Sequence, residues 1–204
     1  YGVDSTCFQR TYDQLQQDLC INNNPITILT FAASVWGMND VTHLGIYDIP
    51  MMSNIPNLVY LAPTTYEEYI AMLDWSTEQR EHPVAIRVPG AVIHGEKPTK
   101  DYGILNKYET VQKGSGAAII ALGTFFGMGK QAAELIEKKT GVKPTLINPV
   151  YITGIDEELL ESLKKDHKAV ITLEDGILDG GFGEKIARFY GDSDMRTVNF
   201  GLKK

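Results

Sequence analysis

Apolar and polar positions alternate along the 204-residue chain in a pattern that predicts strands and helices in turn. Short apolar or β-branched runs, typical of strands buried on both faces of a parallel sheet, lie at 26–31, 58–61, 84–88, 117–122, 145–147, 169–173 and 197–200. Helical spacing and capping residues predict helices from Ser5 or Thr6 to about Leu19, from Thr64 or Thr65 onward, from Gly123-Thr124 to near Gly141, and over 156–165 and 183–190. Strand-helix repeats of this kind imply right-handed crossovers. The pattern therefore predicts an α/β fold made of two parallel-sheet units.

A polar stretch separates the two units. Residues 91–114 contain Gly95, Pro98 and Gly103 but show no long periodic pattern, which indicates irregular backbone. We therefore predict a first domain at 1–95, a linker at 96–114 and a second domain at 115–204. The chain begins at Tyr1, and its first residues resemble the end of a strand, so we expect a further segment upstream.

Composition excludes several classes of function. The formal net charge is −7 and the 19 Lys and Arg residues are dispersed, which argues against a nucleic-acid partner. No apolar window is long enough to span a membrane and no signal segment is present, so we expect a soluble, cytoplasmic protein without a membrane partner. Cys7 and Cys20 have neither metal-ligand nor disulfide-scaffold spacing and are expected to be reduced thiols. No His, Cys, Asp or Glu group has the spacing of a metal site.

The segment from Gly37 to Gly45 gathers an amide, a carboxylate, a hydroxyl and an imidazole after a predicted strand. Open α/β sheets bind ligands at the carboxyl ends of their strands, and a histidine there can transfer protons near neutral pH. His43 is thus a candidate catalyst, and the alternative is a hydrogen-bonded loop residue. We expect the other histidines, at 82, 94 and 167, to lie on the solvated surface.

Two glycine-rich turns follow predicted strands, at 123–129 and 180–185. Exposed N–H groups in such turns attract phosphate, but neither turn has the spacing of a dinucleotide fingerprint or of a P-loop. We interpret both as tight strand-to-helix connections.

Several motifs, taken together, resemble one enzyme family. They are Ser5-Thr-Cys-Phe-Gln-Arg-Thr-Tyr-Asp-Gln14, Thr42-His-Leu-Gly45, Ile55-Pro56, Leu61-Ala-Pro63, Ile86-Arg-Val-Pro89 and Asp179-Gly-Gly-Phe-Gly183, in this order. This series is similar to that of 1-deoxy-D-xylulose-5-phosphate synthases, which are transketolase-type thiamine-diphosphate enzymes. The resemblance covers almost the whole chain, as part of a pyrimidine-binding domain followed by a transketolase-type C-terminal domain.

The resemblance implies an activity and a set of site residues. The family decarboxylates pyruvate and transfers the acyl unit to glyceraldehyde 3-phosphate, with thiamine diphosphate and Mg²⁺ as cofactors and usually as a homodimer. By resemblance, His43 is catalytic, a second group lines the cofactor pocket and a third contacts substrate. The second group is Cys7, Phe8 and Arg10, and the third is Asn39, Asp40 and Arg87. The activating glutamate and the domain that binds diphosphate and metal would lie outside this chain, so we expect the chain alone to be inactive and not to bind the cofactor.

The chain also departs from the family pattern. Two family arginines that hold the substrate phosphate would fall in Phe31-Ala-Ala-Ser34 and Val88-Pro-Gly-Ala91, and neither has a counterpart. The aromatic residue that stacks on the cofactor aligns with Cys7, unless a one-residue shift lets Phe8 replace it. These losses leave another acceptor substrate open. They also leave open a non-catalytic homologue that acts as a dimerisation or binding module. The β subunit of a 2-oxoacid dehydrogenase and a split transketolase subunit stay open because they have the same pair of domains.

Overall fold

The computed structural model describes residues 1–35 and 41–203, and they form two sheets flanked by helices. The first sheet has the strand order β1-β2-β4-β3, and all of its pairs are parallel. Its strands are β1 (Gly2–Asp4), β2 (Ile26–Phe31), β3 (Val59–Leu61) and β4 (Pro83–Arg87). The α/β prediction and the four-strand parallel character of this unit are confirmed.

The second sheet has the order β5-β7-β6-β8-β9. Its strands are β5 (Glu109–Gln112), β6 (Gly116–Ala121), β7 (Thr145–Asn148), β8 (His167–Ile177) and β9 (Arg196–Leu202). Pairs among β6 to β9 are parallel, whereas β5 runs antiparallel to β7. The expectation of irregular backbone up to residue 114 and of a purely parallel sheet was therefore wrong at β5. This edge strand alternates exposed and half-buried residues and lacks the continuous apolar run that marks a central strand.

The helices confirm most of the predicted segments. They are α1 (Tyr12–Gln14), α2 (Asp48–Met52), α3 (Tyr66–Glu78), α4 (Phe126–Thr140), α5 (Glu157–Leu163) and α6 (Phe182–Phe189). Helix α3 begins after Thr65, whose hydroxyl accepts a hydrogen bond from the Glu68 N–H at 3.1 Å. Helix α4 ends at Gly141, which adopts the left-handed conformation that glycine tolerates best.

The amino-terminal helical segment is less regular than its spacing predicts. It consists of a 3₁₀ turn over Ser5–Arg10, the short α1, and a π-helical stretch over Leu15–Cys20. Apolar spacing identifies the buried face of a helix but does not distinguish the 3₁₀, α and π hydrogen-bond patterns. The change of pitch still keeps Phe8, Leu15 and Cys20 buried.

One apolar core runs through both units. A single cluster of buried side chains contains Ile28 and Tyr60 from the first unit together with Ile120, Ile147 and Phe182 from the second. The backbone continues this contact, because the Ala62 N–H donates to the Val150 carbonyl at 2.8 Å and the Ile152 N–H to the Tyr60 carbonyl at 2.7 Å. Within the described ranges, no helix has the length and apolar character needed to cross a membrane.

Candidate functional site

The carboxyl ends of the parallel strands of the first sheet lie along one edge. Strand β1 leads directly into the 3₁₀ turn Ser5–Arg10, and β2 leads into the segment 32–35. Asp4 pairs with Phe31 in the register of β1 and β2, and Thr30 pairs with Arg87 in that of β2 and β4. The segments that carry the candidate residues therefore start side by side, at the edge where such sheets bind ligands.

Gly45 packs closely against two of these segments, the one after β2 and the 3₁₀ turn after β1. Its carbonyl accepts a hydrogen bond from the Ser34 N–H at 2.8 Å, and the Ser5 hydroxyl donates to the Ala32 carbonyl at 3.2 Å. A Cβ atom at Gly45 would lie 1.7 Å from the Ala32 carbonyl oxygen and 2.6 Å from the Ser5 hydroxyl oxygen. Only glycine permits this close approach, which brings the loop after His43 against the 3₁₀ turn.

The three predicted cofactor-binding residues divide between surface and core. Cys7 and Arg10 are exposed on the 3₁₀ turn. Phe8, in contrast, is fully buried in the apolar core. Its place at the cofactor pocket, through the one-residue shift that would let it replace the missing aromatic, stays a prediction. Cys7 and Arg10 remain predictions at the cofactor pocket.

His43 ends a short 3₁₀ turn, Val41–His43, and its side chain is exposed. Its Nδ1 atom lies 2.8 Å from the hydroxyl oxygen of Thr42. Asn39 and Asp40, two of the predicted substrate contacts, lie outside the described residues. The structure thus places His43 on the same edge as Cys7 and Arg10, where an exposed imidazole can exchange protons with a bound molecule.

Arg87, the third predicted substrate contact, is buried and binds two carboxylates. Its Nε donates to Asp48 Oδ2 at 2.9 Å and its Nη2 to Asp48 Oδ1 at 3.2 Å, a bidentate arrangement. Its Nη1 donates to Asp175 Oδ1 from the second unit. The Tyr60 hydroxyl donates to Asp48, and the Thr124 hydroxyl donates to Asp175 Oδ2 at 2.7 Å. Arg87 therefore joins the two units, and a direct contact with substrate stays a prediction.

Charges in this cluster compensate one another. Burial by itself would lower the pKa of Arg87, but the carboxylates of Asp175 and Asp48 outweigh it and raise that pKa. Burial would raise the pKa of Asp175, and the Arg87 guanidinium together with the Thr124 hydroxyl holds it below the ordinary value. Burial and the neighbouring Asp48 charge raise the pKa of Tyr60, which keeps the phenol protonated as a donor.

An open cleft lies beside this cluster, between the carboxyl edge of the first sheet and the start of α4. The residues that line it are Ser34, Val35, Gly90, Ala91, Ile93, Thr124, Phe125, Gly127, Met128 and Gln131. None of these lining residues is charged. The two segments in which the family arginines would fall, 31–34 and 88–91, both contribute residues to the lining of this cleft.

Sequence reasoning missed the partners of Arg87 and the environment of one histidine. Asp48 and Asp175 lie 127 positions apart, and only the packing of the two units brings them to one guanidinium. His167, expected on the surface, is buried, with Nε2 2.8 Å from the Thr145 hydroxyl oxygen and Nδ1 3.1 Å from the Leu163 carbonyl oxygen. Its place just before an apolar run, as the first residue of β8, was the signal available.

Another buried acid, Glu174, lies in the second unit. Its carboxylate accepts hydrogen bonds from the Phe182 N–H at 2.8 Å and the Gly183 N–H at 2.7 Å, at the start of α6. Burial raises its pKa to about 7 despite these bonds. The glycine-rich turn before α6 thus binds a carboxylate of its own chain. Across 1–35 and 41–203, no group of three or more His, Cys, Asp or Glu side chains is arranged to hold a metal ion.

Comparisons with family models give two matches. The transketolase pyrimidine binding domain matches residues 4–92, and the transketolase C-terminal domain matches residues 106–202. Together the two matches cover nearly all of the chain.

Curated relatives carry the name 1-deoxy-D-xylulose-5-phosphate synthase. One from Clostridium perfringens is 38% identical over 193 residues, which are 93% of this chain and 30% of the relative. One from Clostridium tetani is 34% identical over 206 residues, 100% of this chain and 33% of the relative. A third, from Shouchella clausii, is 33% identical over 97% of this chain and 32% of its own length. The chain thus spans about a third of the length of these relatives.

A solved structure titled "Split gene transketolase, inactive beta4 tetramer" has a similar fold. Its TM-score is 0.88 with 20% sequence identity, over 100% of this chain and 66% of that chain. At this level of identity the likeness establishes the fold.

Proposed function

Because the chain belongs to the transketolase family, as its motifs indicate, we propose that its full-length protein is a thiamine-diphosphate-dependent transferase of the 1-deoxy-D-xylulose-5-phosphate synthase type. The observation that carries this proposal is the match of relatives with that name along both units of the chain. In this reaction a two-carbon acyl unit from pyruvate is transferred to an aldehyde.

The residues of this chain fit one wall of a cofactor site. Cys7 and Arg10 are exposed on a turn that Gly45 holds against the loop of His43. Cys7 stands where the family has a bulky aromatic ring, so this wall presents a smaller side chain to the cofactor than the family pattern does. Residues outside this chain would hold the diphosphate and Mg²⁺, in line with the expectation that the chain alone does not bind the cofactor.

Thiamine diphosphate supplies the electron sink that decarboxylation of a 2-oxoacid requires. The chain's own contribution is to move protons and orient substrate. The ring nitrogens of His43 can accept a proton from substrate or donate one to it. Asn39 and Asp40 precede it by three or four residues, and we propose them as hydrogen-bonding groups for substrate. We further propose a cytoplasmic homodimer.

Full-length protein with thiamine diphosphate, Mg²⁺ and pyruvate tests the proposal. We expect release of carbon dioxide that depends on an added aldehyde. A His43→Ala variant should lose roughly 10²- to 10⁴-fold in turnover, the usual contribution of a proton-transfer group. His82→Ala is the matched control, since His82 lies at the amino end of β4, away from the carboxyl edge that carries the candidate site. Absence of carbon dioxide release from cofactor-saturated protein would refute the synthase assignment.

The lack of charge on the residues that line the cleft concerns the choice of aldehyde that accepts the two-carbon unit. Charge-assisted hydrogen bonds to a phosphate contribute about 1.5–3 kcal/mol each, and the described residues that line this cleft include no lysine or arginine. We therefore propose that an aldehyde without phosphate is accepted at least as well as glyceraldehyde 3-phosphate. Comparison of kcat/KM for glyceraldehyde and for its 3-phosphate decides this. A strong preference for the phosphorylated aldehyde would assign the phosphate to residues outside the cleft.

A second candidate is the subunit of a split transketolase. It is favoured by the similar fold of the split-gene transketolase structure and by the pair of domains that this chain contains. A separate polypeptide that binds diphosphate and, when mixed with this chain, restores transfer of a two-carbon unit from a ketose to an aldehyde would establish it. A non-catalytic binding module remains the alternative of another class, and calorimetry of the full-length protein with thiamine diphosphate separates it from both enzymes.

A further inference from the structure

The second unit contacts the segment that follows His43 at several points along β8. The Ile177 N–H donates to the Ile46 carbonyl at 2.9 Å. Gly176 lies so close to Ile49 that a Cβ on the glycine would be 2.8 Å from the Ile49 Cδ1 atom. The end of β8 therefore forms the surface on which residues 46–49 rest, and these begin three positions after the candidate catalyst.

Arg87 adds an ionic connection to this contact. Asp48 begins α2 within the same supported segment, and Asp175 belongs to β8. Arg87 holds both carboxylates, and all three side chains are almost fully buried, with 0% to 6% of each side chain exposed. The planar guanidinium fixes the direction of each bond, so Asp48 has one favoured position relative to β8.

Burial makes this arrangement sensitive to the loss of a member. When one partner of a buried ion pair is removed, the remaining charge stays without compensation. Here the Thr124 hydroxyl fixes the second oxygen of Asp175, and Thr124 itself belongs to the turn after β6. The position of Asp48 is thus determined by groups on β8 and on the turn after β6, both in the second unit.

We propose that Asp175, acting through Arg87 and Asp48, is a positioning residue for His43, so that the second unit sets the geometry of the site on the first. Arg87 serves this connection through its bonds to both carboxylates. The activity readout for this inference rests on the proposed function, whereas its spectroscopic readout does not.

The test uses Asp175→Asn, with Asp194→Asn as the matched control on an exposed loop of the same unit. Two-bond ¹H–¹⁵N NMR spectra report the ring of His43 in each protein. We expect the His43 cross-peaks to move in Asp175→Asn and to stay in place in the control. In the full-length enzyme, kcat should fall by roughly 10- to 100-fold with little change in the KM for pyruvate, because misplacement of a reacting group affects chemistry more than binding.

Thr124→Val provides a second, milder variant that keeps every charge. It should move the His43 signals in the same direction by a smaller amount, and it decides the question if Asp175→Asn does not fold. Unchanged His43 signals in a folded variant, even with lowered stability, would overturn the proposal and leave the cluster a purely structural link. If the wild-type enzyme releases no carbon dioxide while the His43 signals still move, the proposed function fails and the positioning role stands.

Discussion

At the scale of single residues, Gly45 is a position where the surrounding backbone leaves no room for a Cβ atom. It sits where the loop after His43 meets Ala32 and Ser5, and there is no room for a side chain. The tightness is steric, since the φ of Gly45 is not among the positive values found in the chain. The site depends on this contact because it holds two candidate segments together.

Gly45→Ala should therefore destabilise the protein. Forcing a methyl group against the Ala32 carbonyl requires a backbone shift, which typically costs about 1–3 kcal/mol. Urea unfolding measures this loss. Gly127→Ala is the matched control, because a Cβ there meets nothing within 4 Å. In helix α4 that substitution should stabilise the protein by roughly 0.5–1 kcal/mol. Equal stability of Gly45→Ala and wild type would contradict the packing described for this loop.

Glu174 makes a prediction about pH. Burial raises its pKa from 4.5 to about 7, so the folded state holds a proton that the unfolded state has released. Its favourable contribution is complete below pH 4.5 and is lost as the pH rises through about 7. Each pKa unit corresponds to about 1.36 kcal/mol, which gives a loss of roughly 3 kcal/mol between these values.

Glu174→Gln removes this dependence. The free energy of unfolding of wild type, relative to that of the variant, should fall between pH 5 and pH 7.5 in urea titrations. Glu68 is a second buried acid whose pKa is raised by burial, so the difference between the two proteins isolates Glu174. Glu134→Gln, at an exposed position on α4, is the control and should parallel wild type. A wild-type-like pH profile in Glu174→Gln would refute the assignment.

At the scale of elements, local capping defines where helices begin. The Thr65 hydroxyl caps α3, a helix of 13 residues that packs against the first sheet. Thr65→Ala should lower the free energy of unfolding by about 1 kcal/mol, while Thr65→Ser, which keeps the hydroxyl, should lie close to wild type. Thermal or urea denaturation compares the three proteins. An alanine variant as stable as the serine variant would show that the cap contributes nothing.

The strand-helix alternation was predictable because central parallel strands are apolar throughout, and because α3 and α5 begin after the capping residues Thr65 and Asp156. Strand β5 was not, since an edge strand with alternating exposure looks like loop sequence. The location of the candidate site could be predicted from the polar residues that follow β2, because open α/β sheets bind ligands at the carboxyl ends of their strands. The Asp48–Arg87–Asp175 cluster could not be predicted, since its members meet only through the packing of two units.

At the scale of the whole molecule, the shared core makes the two units one cooperative body. Trp75 reports on the first unit, whereas Ile120 belongs to the second and is fully buried in the common cluster. Ile120→Val should cost about 0.5–1.5 kcal/mol and shift the unfolding midpoint seen by tryptophan fluorescence as much as that seen by circular dichroism. Leu135→Val, at a half-exposed position on α4, should shift neither signal appreciably. Separate transitions for the two probes would show independent units.

Strand β3 gains protection from the segment that follows β7. It is the last strand in its sheet, and an isolated antiparallel bridge joins Leu61 to Tyr151. An uncovered strand edge recruits other chains into extended sheets. A polypeptide that ends before the second unit would expose the β3 edge and tend to aggregate. The second unit therefore also protects the first from aggregation once both have been synthesised.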